Sequence, residues 1–207
     1  MFITFEGCEG CGKTTIAKLI YESLKSENYS IVLSREPGGV KIAEQIRNII
    51  LDKENSKLDN RCEALLFAAS RRQHLVEKVW PNLKEGKIVL CDRYLDSSLA
   101  YQGGGKHLGI EEVLNVNLFA TENTLPDLTI LLDIDPEIGL KRISNNSQRE
   151  INRLDLQSLS FYNDVRSTFL NLAEKYKNRY VIINANQSIE KIYNEVYKII
   201  KTKLNAL

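Results

Sequence analysis

The sequence predicts an α/β protein built on a five-stranded parallel sheet with helices on both faces. Three observations point there. Short apolar runs rich in Ile, Val, Leu and Tyr alternate with longer amphipathic stretches, as a sheet buried on both sides requires. The stretches between runs are long enough for crossover helices, which parallel strands need. No internal repeat, low-complexity tract or Gly/Ser linker breaks the pattern. One domain spanning residues 1–207 is therefore expected, and a chain of that length buries roughly 70% of its unfolded surface.

The predicted strands are 2–6 (FITFE), 30–34 (SIVLS), 87–91 (KIVLC), 128–133 (LTILLD) and 180–184 (YVIIN). After the first strand, Ile16, Leu19, Ile20 and Leu24 recur at helical spacing. A longer helix is predicted from Asn60, which stands three residues before Glu63 as in a capping box. It should run to about Trp80, ahead of Pro81. Another helix is expected over about 156–177, and a last one carries Ile189, Ile192, Tyr193, Val196, Ile199 and Ile200 on one face. Residues 104–126 read as a helix and no more. The polar segment 144–153 (SNNSQREINR) lacks apolar periodicity and is the candidate lid.

Lys plus Arg total 28 against 27 Asp plus Glu. So balanced a charge gives no overall field to hold nucleic acid or an anionic membrane. No apolar run approaches the roughly 18 residues needed to cross a bilayer. The amino terminus, MFITFEG, enters a strand pattern without a basic leader, and the cysteines at 8, 11, 62 and 91 are too scattered for a disulfide framework. A cytoplasmic location is expected, with small-molecule substrates as partners.

Between the first strand and the first helix lies GCEGCGKTT, 7–15. Gly7, Gly12, Lys13 and Thr14 satisfy GxxxxGK[ST] in the strand–loop–helix context that motif requires. Glycines let successive backbone N–H groups of Gly7, Cys8, Glu9, Gly10, Cys11, Gly12, Lys13, Thr14 and Thr15 turn around a triphosphate. The helix start adds partial positive charge, Lys13 neutralises the outer phosphates and the Thr14 hydroxyl reaches Mg²⁺. Cys8 and Cys11 also form a CxxC pair. A zinc site would need further ligands, whereas Cys62, Cys91, His74 and His107 each stand alone, so the phosphate cradle is the stronger reading. Thiols beside a helix amino terminus are expected to have lowered pKa values, which would make the cradle sensitive to oxidants.

A P-loop alone leaves a kinase, a nucleotide-dependent switch that binds a partner, or a motor-like ATPase open. The NKxD element typical of GTPases is absent. Instead CDRYLDSSLAYQG, 91–103, follows the third apolar run, at the strand ends where open α/β sheets bind ligands. FEGCEGCGKTT, REPGG at 35–39, LLFAASRRQH at 65–74, DRYLDSSLAYQG at 92–103 and NRLD at 152–155 together resemble the thymidylate kinase family. The resemblance implies a P-loop nucleoside monophosphate kinase fold with a short lid, usually homodimeric. It implies the reaction ATP + dTMP → ADP + dTDP with Mg²⁺, a step of dTTP synthesis. A kinase for another nucleotide remains the alternative.

By that resemblance Asp92 holds Mg²⁺ and its waters with Thr14, and Arg93 grips the acceptor phosphate with help from Arg35. Without it, Asp92 would read as a helix cap and Arg93 as a surface charge. Phe67 and Arg71, four apart on a helix, share a face. The resemblance makes Phe67 stack on the thymine and Arg71 bond its carbonyl edge, while Arg72 points about 100° away. Tyr101 is matched to the sugar, where it disfavours a 2′-hydroxyl, with Gln102 near the base and Ser97 close by. Glu9 is matched to a carboxylate at the sugar or the phosphate-binding arginine. Cys8, Glu9, Gly10 and Cys11 include no arginine, as in bacterial members whose lid supplies one. Arg153 is the first choice for that catalytic role and Arg149 the second. Lysine at 106, where arginine is common, and the two loop cysteines depart from the family pattern.

Overall fold

The computed structural model describes residues 1–145, 153 and 157–205. Five strands, β1 (Phe2–Glu6), β2 (Ile31–Arg35), β3 (Ile88–Asp92), β4 (Leu128–Asp133) and β5 (Tyr180–Asn184), form one sheet in the order β2-β3-β1-β4-β5. Every neighbouring pair is parallel. β2 and β3 each lie one residue beyond the predicted runs, because Arg35 pairs with Asp92 in the ladder although neither is apolar.

Side chains alternate across the strands with period two, giving two cores. Phe2, Val89, Cys91 and Leu131 face one side, packed on Phe161, Val165 and Phe169 of α8 (Leu159–Lys175). Ile3, Phe5, Leu90, Ile130 and Leu132 face the other, packed on Ile16 and Ile20 of α1 (Lys13–Ser26) and on Ile192 and Val196 of α9 (Ile189–Leu204). Each such side chain, fully buried, contributes about 1.5–3 kcal/mol. The cores thus fix the carboxyl ends of β1, β2 and β3 side by side, and Glu6, Arg35 and Asp92 stand at those ends.

The remaining helices are α2 (Lys41–Leu51), α3 (Asn60–His74), α4 (Trp80–Lys84), α5 (Leu95–Ser98), α6 (Ile110–Thr121) and α7 (Pro136–Ser144). Two local expectations change. Asn60 and Glu63 do not form a capping box: the Asp59 carboxylate accepts the N–H groups of Arg61 and Cys62 at 2.9 and 3.0 Å, and Glu63 is drawn inward. The helix expected to stop before Pro81 continues through a π-helical turn, Leu75–Val79, into α4. Pro81 falls in the first turn of α4, where its missing N–H is not required. The helix expected within 104–126 is α6, and a π-helical segment, Leu99–Gly105, precedes it. Of the candidate lid, residues 146–152 lie outside the described residues.

Candidate active site

The loop between β1 and α1 is shaped by close backbone approach. A Cβ on Gly10, at φ +72°, would lie 2.1 Å from the Gly139 carbonyl oxygen, so glycine lets the loop seat against α7. Gly12, at φ +94°, is the left-handed residue that opens α1. Four other helices begin with a side-chain cap, from Asp59, Asp135, Ser158 and Ser188. At the start of α1 no side chain caps the helix and no acidic residue stands in the first turn. Its N–H groups and positive dipole end are left for an external anion. Lys13 is folded back, donating from Nζ to the carbonyls of Gly7 at 2.9 Å and Cys8 at 2.8 Å, and to Cys11 Sγ at 3.3 Å.

Cys8 does not behave as the sequence suggested. Cys8 is buried, and burial together with the adjacent Glu9 pushes its thiol up to about 12 rather than down. Among the described residues, the one cluster with metal-ligating chemistry is Glu36, His74 and Cys91. Its polar atoms are already occupied. His74 bonds Glu36 Oε1 at 2.9 Å and Ser34 Oγ at 2.6 Å, and Glu36 Oε2 accepts from Arg71 at 2.7 Å.

At the end of β3, the Thr14 hydroxyl donates to the Asp92 carboxylate. These hard oxygen donors, beside the phosphate loop, fit a Mg²⁺ ion that keeps several waters. The next residue, Arg93, takes a left-handed backbone at φ +69°, which turns its side chain along the loop. Its guanidinium donates to Gly7 O at 3.2 Å, Ser97 Oγ at 3.1 Å, Glu9 Oε1 at 2.7 Å and Tyr101 Oη at 3.2 Å. Burial opposes its charge, but Tyr101, Glu9, Asp92 and Glu6 outweigh burial and raise its pKa. Tyr101 also donates to Glu9 and packs edge-on against Phe161 and Phe169. Behind Arg93, Glu6 accepts from Tyr94 N–H at 2.7 Å and from Ser97 Oγ at 2.6 Å. Burial first, then Asp96, push Glu6 up to about 8.

Two more arginines reach the cleft in opposite states. Arg35 is exposed, held bidentate by Glu44 at 2.8 and 3.0 Å, a surface pairing that an incoming dianion can exchange for itself. Arg71 is 2% exposed and donates to Glu36, Ser98, Asn117 and the Tyr94 carbonyl. Among the described residues that uses four of its five N–H bonds and leaves one on Nη2. Phe67 lines the cleft one helical turn before Arg71. Arg72, as its angle predicted, turns away to Glu122 and Trp80.

Gly10, Gly12, Lys13, Thr14, Asp92, Arg93, Arg35, Phe67, Arg71, Ser97, Tyr101 and Gln102 all line one cleft of about 880 Å³. Arg153 does not. It donates from Nε to the Ile50 carbonyl at 3.0 Å and from Nη2 to Glu63. The catalytic lid role expected of Arg153 is therefore not visible in this geometry. The buried Glu63 carboxylate, which also accepts from Lys106 and Gln102, holds the Arg153 guanidinium there. Arg149 lies outside the described residues. Sequence reasoning missed Arg142, which lines the cleft and donates to Gly10 O and Ala185 O. It also missed Arg47, which donates to Pro37 O. Each is a lone arginine on an amphipathic helix, with no local signal to separate it from a solvated one.

A parallel sheet with an uncapped P-loop helix and an arginine-lined pocket opening into the same cleft defines a P-loop kinase of small phosphorylated acceptors. The family model described as thymidylate kinase matches residues 5–196. A thymidylate kinase of Clostridium novyi is 56% identical over 200 residues, covering 97% of this chain and 98% of the relative. One of Bacillus velezensis is 50% identical over 207 residues, covering 100% and 98%. The crystal structure of thymidylate kinase from Ehrlichia chaffeensis superposes with a TM-score of 0.79 at 34% identity, covering 97% of this chain and 98% of that one. The chain belongs to the thymidylate kinase family.

Proposed function

We propose that this chain, acting as one domain, transfers the γ-phosphoryl group of ATP to dTMP. The observation that carries the reading is that phosphate-binding amides and an arginine-lined acceptor pocket share one cleft, with Arg93 between them. ATP phosphates lie on the 7–15 amides and Lys13, and Arg142 flanks the loop on the donor side. Thr14 and Asp92 would hold Mg²⁺, which would supply charge neutralisation. The acceptor phosphate is gripped by Arg93 and by Arg35 once it leaves Glu44. A phosphate monoester with a second pKa near 6 is mostly dianionic at pH 7, so no strong general base is needed. Catalysis is then alignment of two polyanions and compensation of charge on the transferring group. Phe67 stacks on the base, the spare Arg71 N–H meets a base carbonyl, and Tyr101 closes the sugar side. Of the two lid arginines, Arg153 is engaged by Glu63 here and Arg149 lies outside the described residues; the role at the transferring group is proposed for this pair.

An ADP-release assay with dTMP, dUMP, dCMP, dGMP and AMP tests the reading, with dTMP turned over fastest. Equal turnover without any acceptor would point instead to a nucleotide-dependent binding module and overturn the proposal. The assembly is read as a homodimer through the outer faces of α3 and α6. Phe119, 90% exposed, supports this together with exposed Leu65 and, in the turn after α3, Val76. Sedimentation velocity should return twice the chain mass, and a monomer at micromolar concentration would refute the pairing.

A further inference from the structure

We propose that Glu63, which does not line the cleft, sets the hydrogen-bond polarity of the base pocket and so selects a pyrimidine carrying a ring N–H. The inference rests on the reading that the cleft takes a nucleoside monophosphate with its base beside Phe67, Arg71 and Gln102. A glutamine amide can present either its oxygen or its NH₂ to a ligand, and its surroundings decide which. Here Gln102 Nε2 donates to Glu63 Oε1 at 3.0 Å. The reversed amide would set oxygen against a carboxylate.

Glu63 is fully buried and can act only as an acceptor while ionised. Its other oxygen receives Lys106 Nζ at 2.7 Å and the Arg153 guanidinium. Burial works against that charge, yet the bonds from Lys106, Arg153 and Gln102 prevail and hold the carboxyl below its ordinary range. Two cations thus keep Glu63 a proton-free anchor for one face of the Gln102 amide.

The anchor is rigid on both sides. Gln102 lies in the π-helical segment Leu99–Gly105, and its carbonyl accepts from Leu108 N–H at 3.2 Å. A Cβ on Gly105 would meet Phe161 at 2.6 Å, so the segment is seated directly on α8. Among the described residues none donates to Gln102 Oε1, and Gln102 lines the cleft. What it offers a ligand is therefore an acceptor. Arg71, on the same wall, offers the one donor left on Nη2. A donor beside an acceptor complements a ring carbonyl next to a ring N–H, as in thymine or uracil. Cytosine presents an amino group and a bare ring nitrogen there, the inverse pattern.

Glu63 is on this account a positioning residue, and Lys106 at the family's usual arginine position is part of its support. The test compares kcat/KM for dTMP with that for 5-methyl-dCMP, which keeps the methyl group and sugar and changes only the base edge. In Glu63→Gln the neighbour can donate as well as accept, the Gln102 amide is released, and the dTMP preference should fall about tenfold, mostly through KM. A parallel loss on both substrates with the ratio unchanged would mean Glu63 merely supports the fold, and would overturn the proposal. Should that variant fail to fold, Lys106→Met weakens the same anchor and must shift the ratio in the same direction; an unchanged ratio there is equally fatal. Absence of dTMP turnover in the unsubstituted enzyme would instead sink the assigned reaction.

Discussion

On the donor side of the cleft the groups aimed at the ligand are main-chain amides, whereas on the acceptor side they are side chains already bonded to one another. The phosphate loop needs only glycines at a few positive φ angles and a helix start without a cap. Its cation, Lys13, rests on the loop's own carbonyls. Across the cleft Arg71 is locked by Glu36, Ser98, Asn117 and Tyr94, Arg93 by Glu9, Ser97 and Tyr101, and Gln102 by Glu63. A backbone cradle binds any phosphate chain, while a fixed side-chain array tells one base from another. General donor chemistry and selective acceptor chemistry are thus assigned to different kinds of structure.

The contrast breaks most sharply at Lys13. Lys13→Met should lower turnover by about 10³-fold or more, since it removes the cation proposed to neutralise the outer phosphates; steady-state ADP release reads this directly. Turnover within tenfold of the parent would dissolve the donor-side account. Next in size is Arg71→Leu, which strands the Glu36 carboxylate, 4% exposed, without its cation. A loss of about 3–5 kcal/mol in urea unfolding is expected. The exposed Arg35 can be changed to Leu with less than about 1 kcal/mol. Similar losses for both would erase the distinction between locked and exchangeable arginines.

A pH-dependent effect concerns Glu6 behind Arg93. Its folded pKa is raised to about 8 from an ordinary 4.5. Between those values the folded state retains a proton that the unfolded chain has released, so stability falls as pH rises through that window. Glu6→Gln should flatten that fall, measured as urea midpoints from pH 5 to 8. An identical slope in the variant would show that Glu6 is ionised in the folded protein.

The same division explains what was legible in the sequence. The phosphate loop is local, so its spacing alone placed it. The strands were readable from apolar runs, but β2 and β3 end one residue later than those runs, because the ladder continues through Arg35 and Asp92. Glu63 has the spacing of a cap partner, yet Lys106, Gln102 and Arg153 claim it from 39 to 90 residues away. Those contacts also engage Arg153, and no local pattern encodes them. Cys8 was misjudged in the same manner: nearness to a helix start argues for a reactive thiol, but burial decides the opposite.

The most direct test is calorimetric titration of dTMP, without ATP or Mg²⁺, into the parent enzyme and into Lys13→Met. A preassembled acceptor side predicts binding to both, with dissociation constants equal within about twofold. Binding that requires ATP, or that disappears with Lys13, would contradict it.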